Sequence, residues 1–149
     1  MSRKQVEAVF TGDVMNWSEV GGPNAPIVVY NRDTSSGSFH DFQRIAMNGR
    51  NYTKSAIRWP NSDPITTAIS RDPFGITFLG FAYANDPAIK TVKVDTLLPS
   101  DNSYPYRWPS FYFTRADSKQ SVNDFIEWAT HSQEAQVLMA REGFIPAQK

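Results

Sequence analysis

Arg32, followed within six positions by Ser36, Gly37 and Ser38, is the combination of residues in this chain best suited to chemistry with an oxyanion. A guanidinium offers a planar fork that matches two oxygens of a tetrahedral anion. The serine hydroxyls add donors, and a glycine lets an anion approach the backbone closely. The surrounding residues indicate how this set is held. An apolar, β-branched run at 27–31 leads into Arg32, and Phe39, Phe42, Ile45 and Ala46 then recur at spacings of three and four. Such a strand–turn–helix junction points several unpaired backbone N–H groups at one spot, at the positive end of a helix dipole. The arrangement reads as an oxyanion site with phosphate as the leading ligand. The same Ser/Thr/Gly cluster also composes an ordinary N-cap and turn, with the arginine a solvated surface charge, and spacing alone leaves both readings open.

The remaining reactive side chains are arranged less tellingly. His40 and His131 have no cysteine or carboxylate at ligand spacing, so they read as packed or surface histidines, and no metal is expected. Ser36 lacks a base and an orienting group, since His40 at i+4 on the same helix is poor triad geometry. No catalytic residue is therefore assigned and no enzymatic activity is expected. Asp33 reads equally as an orienter of Arg32 or as a solvated turn residue, and Asp13, Asp86 and Asp95 read as turn residues. Trp17, Trp59, Trp108 and Trp128 read as packing residues rather than a stacking platform.

Composition narrows the classes. The 149 residues are 40% hydrophobic and 13% aromatic, enough for one globular domain with a core. Fifteen basic and fifteen acidic residues cancel, which argues against nucleic acid or an anionic membrane surface as partner. A small anion needs no net positive field, because local dipoles can hold it. Cysteine is absent, which excludes disulfides, thiolate nucleophiles and cysteine-bound metal. No apolar run approaches the roughly 20 residues of a membrane span, and the first residues lack the apolar region of a secretory signal.

The pattern along the chain alternates between helices and strands. Ser2 caps a short helix carrying Val6, Val9 and Phe10 and closing at Gly12; a loop anchored by Trp17 follows. The run at 27–31 reads as a strand buried on both faces of a parallel sheet. A helix from Ser36 fades near Asn48-Gly49. Residues 49–62 read as a polar, turn-rich loop packed by Trp59-Pro60. Ser62 or Asp63 caps a helix with Ile65, Ala68 and Ile69 that ends at Asp72-Pro73. Further strands are expected at 75–81, 91–94 and 110–114, with an irregular connector at 99–109. Two helices close the chain. The first is capped by Asp117 or Ser118, with Val122, Phe125, Ile126 and Ala129 as its apolar stripe. The second is capped by Ser132, carries Ala135, Val137, Leu138 and Met139, and stops at Gly143. The expected fold is α/β, with ligands beyond the carboxyl ends of the strands.

Several segments, taken in order, resemble the second lobe of the phosphate-binding proteins that serve ABC-type phosphate importers, within the type 2 periplasmic binding protein family. Val9-Phe10-Thr11-Gly12 through Asn16-Trp17-Ser18-Glu19-Val20-Gly21-Gly22 is similar to that family's helix and tryptophan loop. Arg32 through Ser36-Gly37-Ser38 resembles its phosphate loop, Gly75-Ile76-Thr77-Phe78-Leu79-Gly80 one of its strands, and Tyr104-Pro105 through Pro109 and Tyr112 its return hinge. Val122–Phe125 and Ser132 through Gly143-Phe144-Ile145-Pro146 resemble its closing helices and tail.

The resemblance implies a single Rossmann-like lobe over 1–149, a short, mostly parallel sheet flanked by helices, that binds inorganic phosphate without enzymatic activity or cofactor. Arg32 would grip two oxygens, Ser36 would donate through its hydroxyl and N–H, and Gly37 and Ser38 through the first-turn backbone. Serine at 38 replaces a usual threonine, Thr77 a usual glycine and Trp108 a common arginine; no ligand role is assigned to the last two. The family's first lobe, which supplies further donors and a carboxylate, has no counterpart here. A half-site open to water is therefore expected to bind at millimolar rather than micromolar level, a loss of about 4 kcal/mol. The implied role is substrate binding in phosphate uptake or sensing, in the periplasm or another extracytoplasmic location, with an ABC permease or a complementary lobe as partner. The alternative is a stand-alone interaction or regulatory lobe in which exposed apolar surface favours a homodimer.

Overall fold

The computed structural model describes residues 1–145, and Pro146 of the terminal Gly-Phe-Ile-Pro reading lies outside the described residues. The chain divides into two compact units, Met1–Arg107 and Trp108–Lys149, with the boundary inside the proline-rich connector.

The first unit opens with helix α1, Arg3–Thr11, started by a capping box in which Ser2 and Gln5 satisfy each other's backbone N–H groups. Val6, Val9 and Phe10 form its buried stripe. A parallel sheet follows, in the order β2-β1-β3, from strands β1 (Val28–Arg32), β2 (Ile57–Trp59) and β3 (Gly75–Ile76). Tyr30 to Arg32 pair with Ile57 to Trp59, and Val28 and Val29 pair with Gly75 and Ile76. Helix α2 (Gly37–Ala46) connects β1 to β2, and helix α3 (Ser62–Ile69) connects β2 to β3. The two crossovers run in opposite directions along the sheet. Right-handed connections therefore place α2 and α3 on opposite faces.

Side chains alternate along β1 in step with those two faces. Tyr30 and Ile69 close over Gly75, where an added Cβ would lie 2.9 and 2.7 Å from their nearest atoms. On the other face, Phe10 and Phe42 meet edge to face at 4.7 Å, and Phe42 stacks on Phe78 at 4.3 Å. Tyr52 joins this cluster, and its buried hydroxyl donates to the Phe39 carbonyl at 2.9 Å. Burial pushes the Tyr52 phenol well above its ordinary pKa.

Several expectations need correction. Asn61, not Ser62 or Asp63, occupies the N-cap of α3, and the helix itself begins at Ser62. Residues 57–59, read as loop, form β2; its side chains are all exposed, so no buried periodicity marked it. The strand expected at 75–81 keeps ladder pairing only at Gly75–Ile76, and the chain passes into a 3₁₀ turn at Phe81–Asn85. Residues 91–94 form no strand, because Asp95 and Thr96 take positive φ and leave Val94 a single bridge to Leu97. Residues 110–114 have strand-forming composition but no partner strand among the described residues, and Phe111 and Phe113 are exposed.

The second unit contains α4 (Gln120–His131) and α5 (Gln133–Arg141). Lys119, not Asp117 or Ser118, occupies the N-cap of α4. Asp117 instead pairs with Arg115 at 2.8 Å, and Ser118 bonds back to the Arg115 carbonyl. Ser132 caps α5 through the Ala135 N–H, and Gly143 takes the left-handed φ of 83° expected just past a helix end. The buried apolar residues of the helices are Ala129 and Ala135. Val122, Phe125, Val137 and Leu138 are exposed, so the expected apolar stripes are not buried within this unit.

Candidate anion-binding site

β1 delivers Arg32 at its carboxyl end, beside Trp59 of β2. The next residues turn sharply into α2. Asp33 organises that turn: its Oδ1 accepts from the Ser35 N–H at 2.9 Å and from the Ser35 hydroxyl, and its carbonyl accepts from the Ser36 N–H at 3.2 Å. These bonds to Ser35, more than the charge of Arg32, hold the Asp33 carboxyl below its ordinary pKa. Asp33 is thus a turn residue. His40 Nε2 donates to the Thr34 carbonyl at 2.9 Å, tying the turn to the helix it precedes.

Ser36 is the N-cap residue of α2 and is buried, yet its side chain makes no capping bond. The N–H groups of Gly37 and Ser38, at the start of the helix, have no intrahelical acceptor by geometry. Nothing lies within 4 Å of the Cβ that a side chain at Gly37 would add. Neither packing nor a positive φ demands glycine there, and its effect is to keep the space over the helix end open. One expectation changes: the Ser36 N–H is engaged by Asp33, so its hydroxyl is the donor left over.

Arg32 is half-buried and turned toward the start of α3. Its Nη2 donates to the Pro60 carbonyl at 2.6 Å and its Nη1 to the Ser62 hydroxyl at 3.3 Å. Its Nε is buried without a hydrogen-bond partner among the described residues. The described ion pairs involve Arg3, Arg44, Arg50, Arg115 and His131, and none involves Arg32. A half-buried cation thus meets neutral acceptors only, four residues ahead of a helix start whose cap side chain makes no capping bond. Such a combination attracts an anion. Pro60 and Ser62 are the site residues that sequence reasoning missed. Ser62 was legible as a helix start, but only the pairing of β1 with β2 brings it to Arg32.

Among the described residues, no group of three His, Cys, Asp or Glu side chains is placed to hold a metal. No helix among them is long and apolar enough to cross a membrane. Two shallow clefts of about 260 and 290 Å³ border Gly75, where β3 begins, one lined by Trp17 and Phe74 and the other by Ile69 and Asp72. They sit at the amino edge of the sheet, away from the carboxyl edge where ligands of open α/β sheets bind.

A family model described as a PBP superfamily domain matches residues 1–134, and the chain belongs to that superfamily of periplasmic binding proteins. Its α/β fold is that of a type 2 lobe. It is 24% identical to the phosphate-binding protein PstS of Bacillus subtilis, over 98% of this chain and 50% of the relative. The chain thus spans about half the length of the curated relatives it matches. A crystal structure described as a phosphate ABC transporter substrate-binding protein with bound phosphate, from Clostridium perfringens, superposes with a TM-score of 0.84 at 26% identity, covering 99% of this chain and 63% of that one. PstS from Borrelia burgdorferi superposes with a TM-score of 0.75 at 22% identity, over 100% of this chain and 64% of that one.

Proposed function

We propose that this chain binds inorganic phosphate through Arg32, Ser36, Gly37 and Ser38, as the substrate-binding component of phosphate uptake or sensing. The observation that carries the reading is the Arg32 cation, held by neutral acceptors four residues ahead of the uncommitted cap of α2. The names of the relatives, which are phosphate-binding proteins rather than enzymes, support the ligand class.

In this reading residues 1–149 act as one phosphate-binding-protein-like lobe, outside the cytoplasmic membrane, with an ABC permease or a complementary lobe as partner. Arg32 donates to two phosphate oxygens, the Ser36 hydroxyl to a third, and the Gly37 and Ser38 amides complete the cradle at the positive end of α2. Binding is millimolar for the chain alone, because water screens an open half-site. The test is the ³¹P line width of inorganic phosphate with increasing protein. Saturable broadening reversed by excess unlabelled arsenate, a competing tetrahedral oxyanion, supports the reading. A line width unchanged at millimolar protein contradicts it.

A further inference from the structure

We infer that Ser62 is a positioning residue for the anion site, holding the Arg32 guanidinium in the pose that the proposed phosphate binding requires; the inference rests on that binding reading. Arg32 projects from the carboxyl end of the central strand, and a free arginine there would sample many rotamers. Two contacts from one short segment hold it, Nη2 to the Pro60 carbonyl at 2.6 Å and Nη1 to the Ser62 Oγ at 3.3 Å. Both acceptors are neutral, so they orient the fork without cancelling its charge. A carboxylate in the same place would do the first and undo the second.

The segment that carries these acceptors is itself fixed at both ends. At its start, the Asp33 N–H donates to the Trp59 carbonyl at 3.0 Å, extending the β1–β2 ladder into the anion-site turn. At its end, Ser62 opens α3, where its own carbonyl accepts from the Thr66 hydroxyl at 3.1 Å. The adjacent Asp63 accepts from the Tyr83 hydroxyl at 2.9 Å, which raises the Tyr83 phenol above its ordinary pKa and pins the first turn of α3 to the 3₁₀ turn at Phe81–Asn85. The hydroxyl of Ser62 is therefore presented from a braced helix start. Unlike Ser36, it acts on the anion only through Arg32.

The experiment compares wild type, Ser62→Ala and Ser62→Thr by NMR, reading the Arg32 Nε–Hε resonance and a titration with inorganic phosphate; Arg32→Lys assigns the resonance. In Ser62→Ala the Arg32 resonance broadens and exchanges faster with solvent, and phosphate binds about tenfold more weakly, as expected for one lost bond to a charged group. Ser62→Thr, which keeps the hydroxyl, restores both, an outcome that a purely structural role would not produce. An Arg32 resonance and phosphate affinity in Ser62→Ala equal to wild type overturn the inference while leaving the binding reading intact. If wild type does not respond to phosphate, the binding reading fails instead. The Arg32 resonance then still shows whether Ser62 holds the guanidinium, and an unchanged resonance overturns that as well.

Discussion

Arg32 and Pro60 are joined by a 2.6 Å hydrogen bond from Nη2 to the backbone carbonyl, linking the end of β1 to the segment that leads from β2 into α3. Because the acceptor is main chain, no substitution at position 60 removes it while the fold is kept. The guanidinium thus has one anchor that side-chain substitution does not remove, besides its bond to Ser62, and a remaining set of donors for an anion. A lysine offers a point charge without the fork. Arg32→Lys is expected to weaken phosphate binding at least tenfold while leaving the melting temperature within about 2 °C of wild type. Parallel calorimetric titration and thermal melting check this, and full phosphate affinity in the lysine variant would contradict the bidentate role.

Ser36 separates stability from binding in a different way. A capping serine replaced by alanine ordinarily costs about 1 kcal/mol, because the cap bond to the helix is lost. Ser36 makes no such bond. Ser36→Ala is therefore expected to change unfolding free energy by less than about 0.5 kcal/mol, while weakening phosphate binding several-fold. Urea titration gives the first quantity; a loss of 1 kcal/mol or more would show that the hydroxyl is a cap in solution.

Gly12 marks a place where the backbone, not the ligand, dictates the residue. Its φ is +83°, and an added Cβ would lie 2.8 Å from the Thr53 Oγ1. Gly12→Ala combines left-handed strain with a clash and should cost about 1–3 kcal/mol. Thr53→Gly removes both the Oγ1 and the Cβ that lies 2.9 Å from the added atom, so in that background Gly12→Ala should cost less by the part due to the clash. If Gly12→Ala costs as much in the Thr53→Gly background as in wild type, the strain alone accounts for the loss.

Acid sensitivity should centre on Arg50. It bonds Asp13 at 2.7 and 3.0 Å and Glu7 at 3.2 Å, joining α1 to the segment after α2. The Arg50 bond holds the Asp13 carboxyl below its ordinary value of 3.8. The unfolded chain then binds the proton more readily, so this contribution is present above the ordinary carboxylate range and is lost as pH falls through the lower folded value. The urea midpoint of wild type should drop between pH 6 and pH 3. Asp13→Asn should show a smaller drop, with the remainder coming from groups such as Asp33 and Asp95, whose pKa values are also lowered. An equal drop in both proteins would remove Asp13 from the acid response.

Much of this architecture was legible in the residues. Ser2, Gly12 and the Val6-Val9-Phe10 stripe delimit α1, and the apolar run before Arg32 with the aromatic period after it defines β1 and α2. These elements bury one face or both, so burial imposes a period on the sequence. β2 buries none of its side chains and left no such imprint. For the same reason Pro60 and Ser62 could not be joined to Arg32, since their meeting depends on the Arg32–Trp59 register. Composition at 110–114 favours a strand, yet a ladder requires a partner and none is present among the described residues. The apolar residues of α4 recur at helical spacing, but spacing does not state what covers the apolar face; Phe125 is 56% exposed.

The central claim is that Arg32, with the start of α2, binds inorganic phosphate. Its most direct test is a phosphate titration followed by backbone amide shifts, on wild type and on Arg32→Ala. Millimolar, saturable shifts centred on residues 32–39 in wild type, and absent in the variant, are the predicted result. No saturable shift in wild type up to high millimolar phosphate, or the same response in both proteins, would contradict the account.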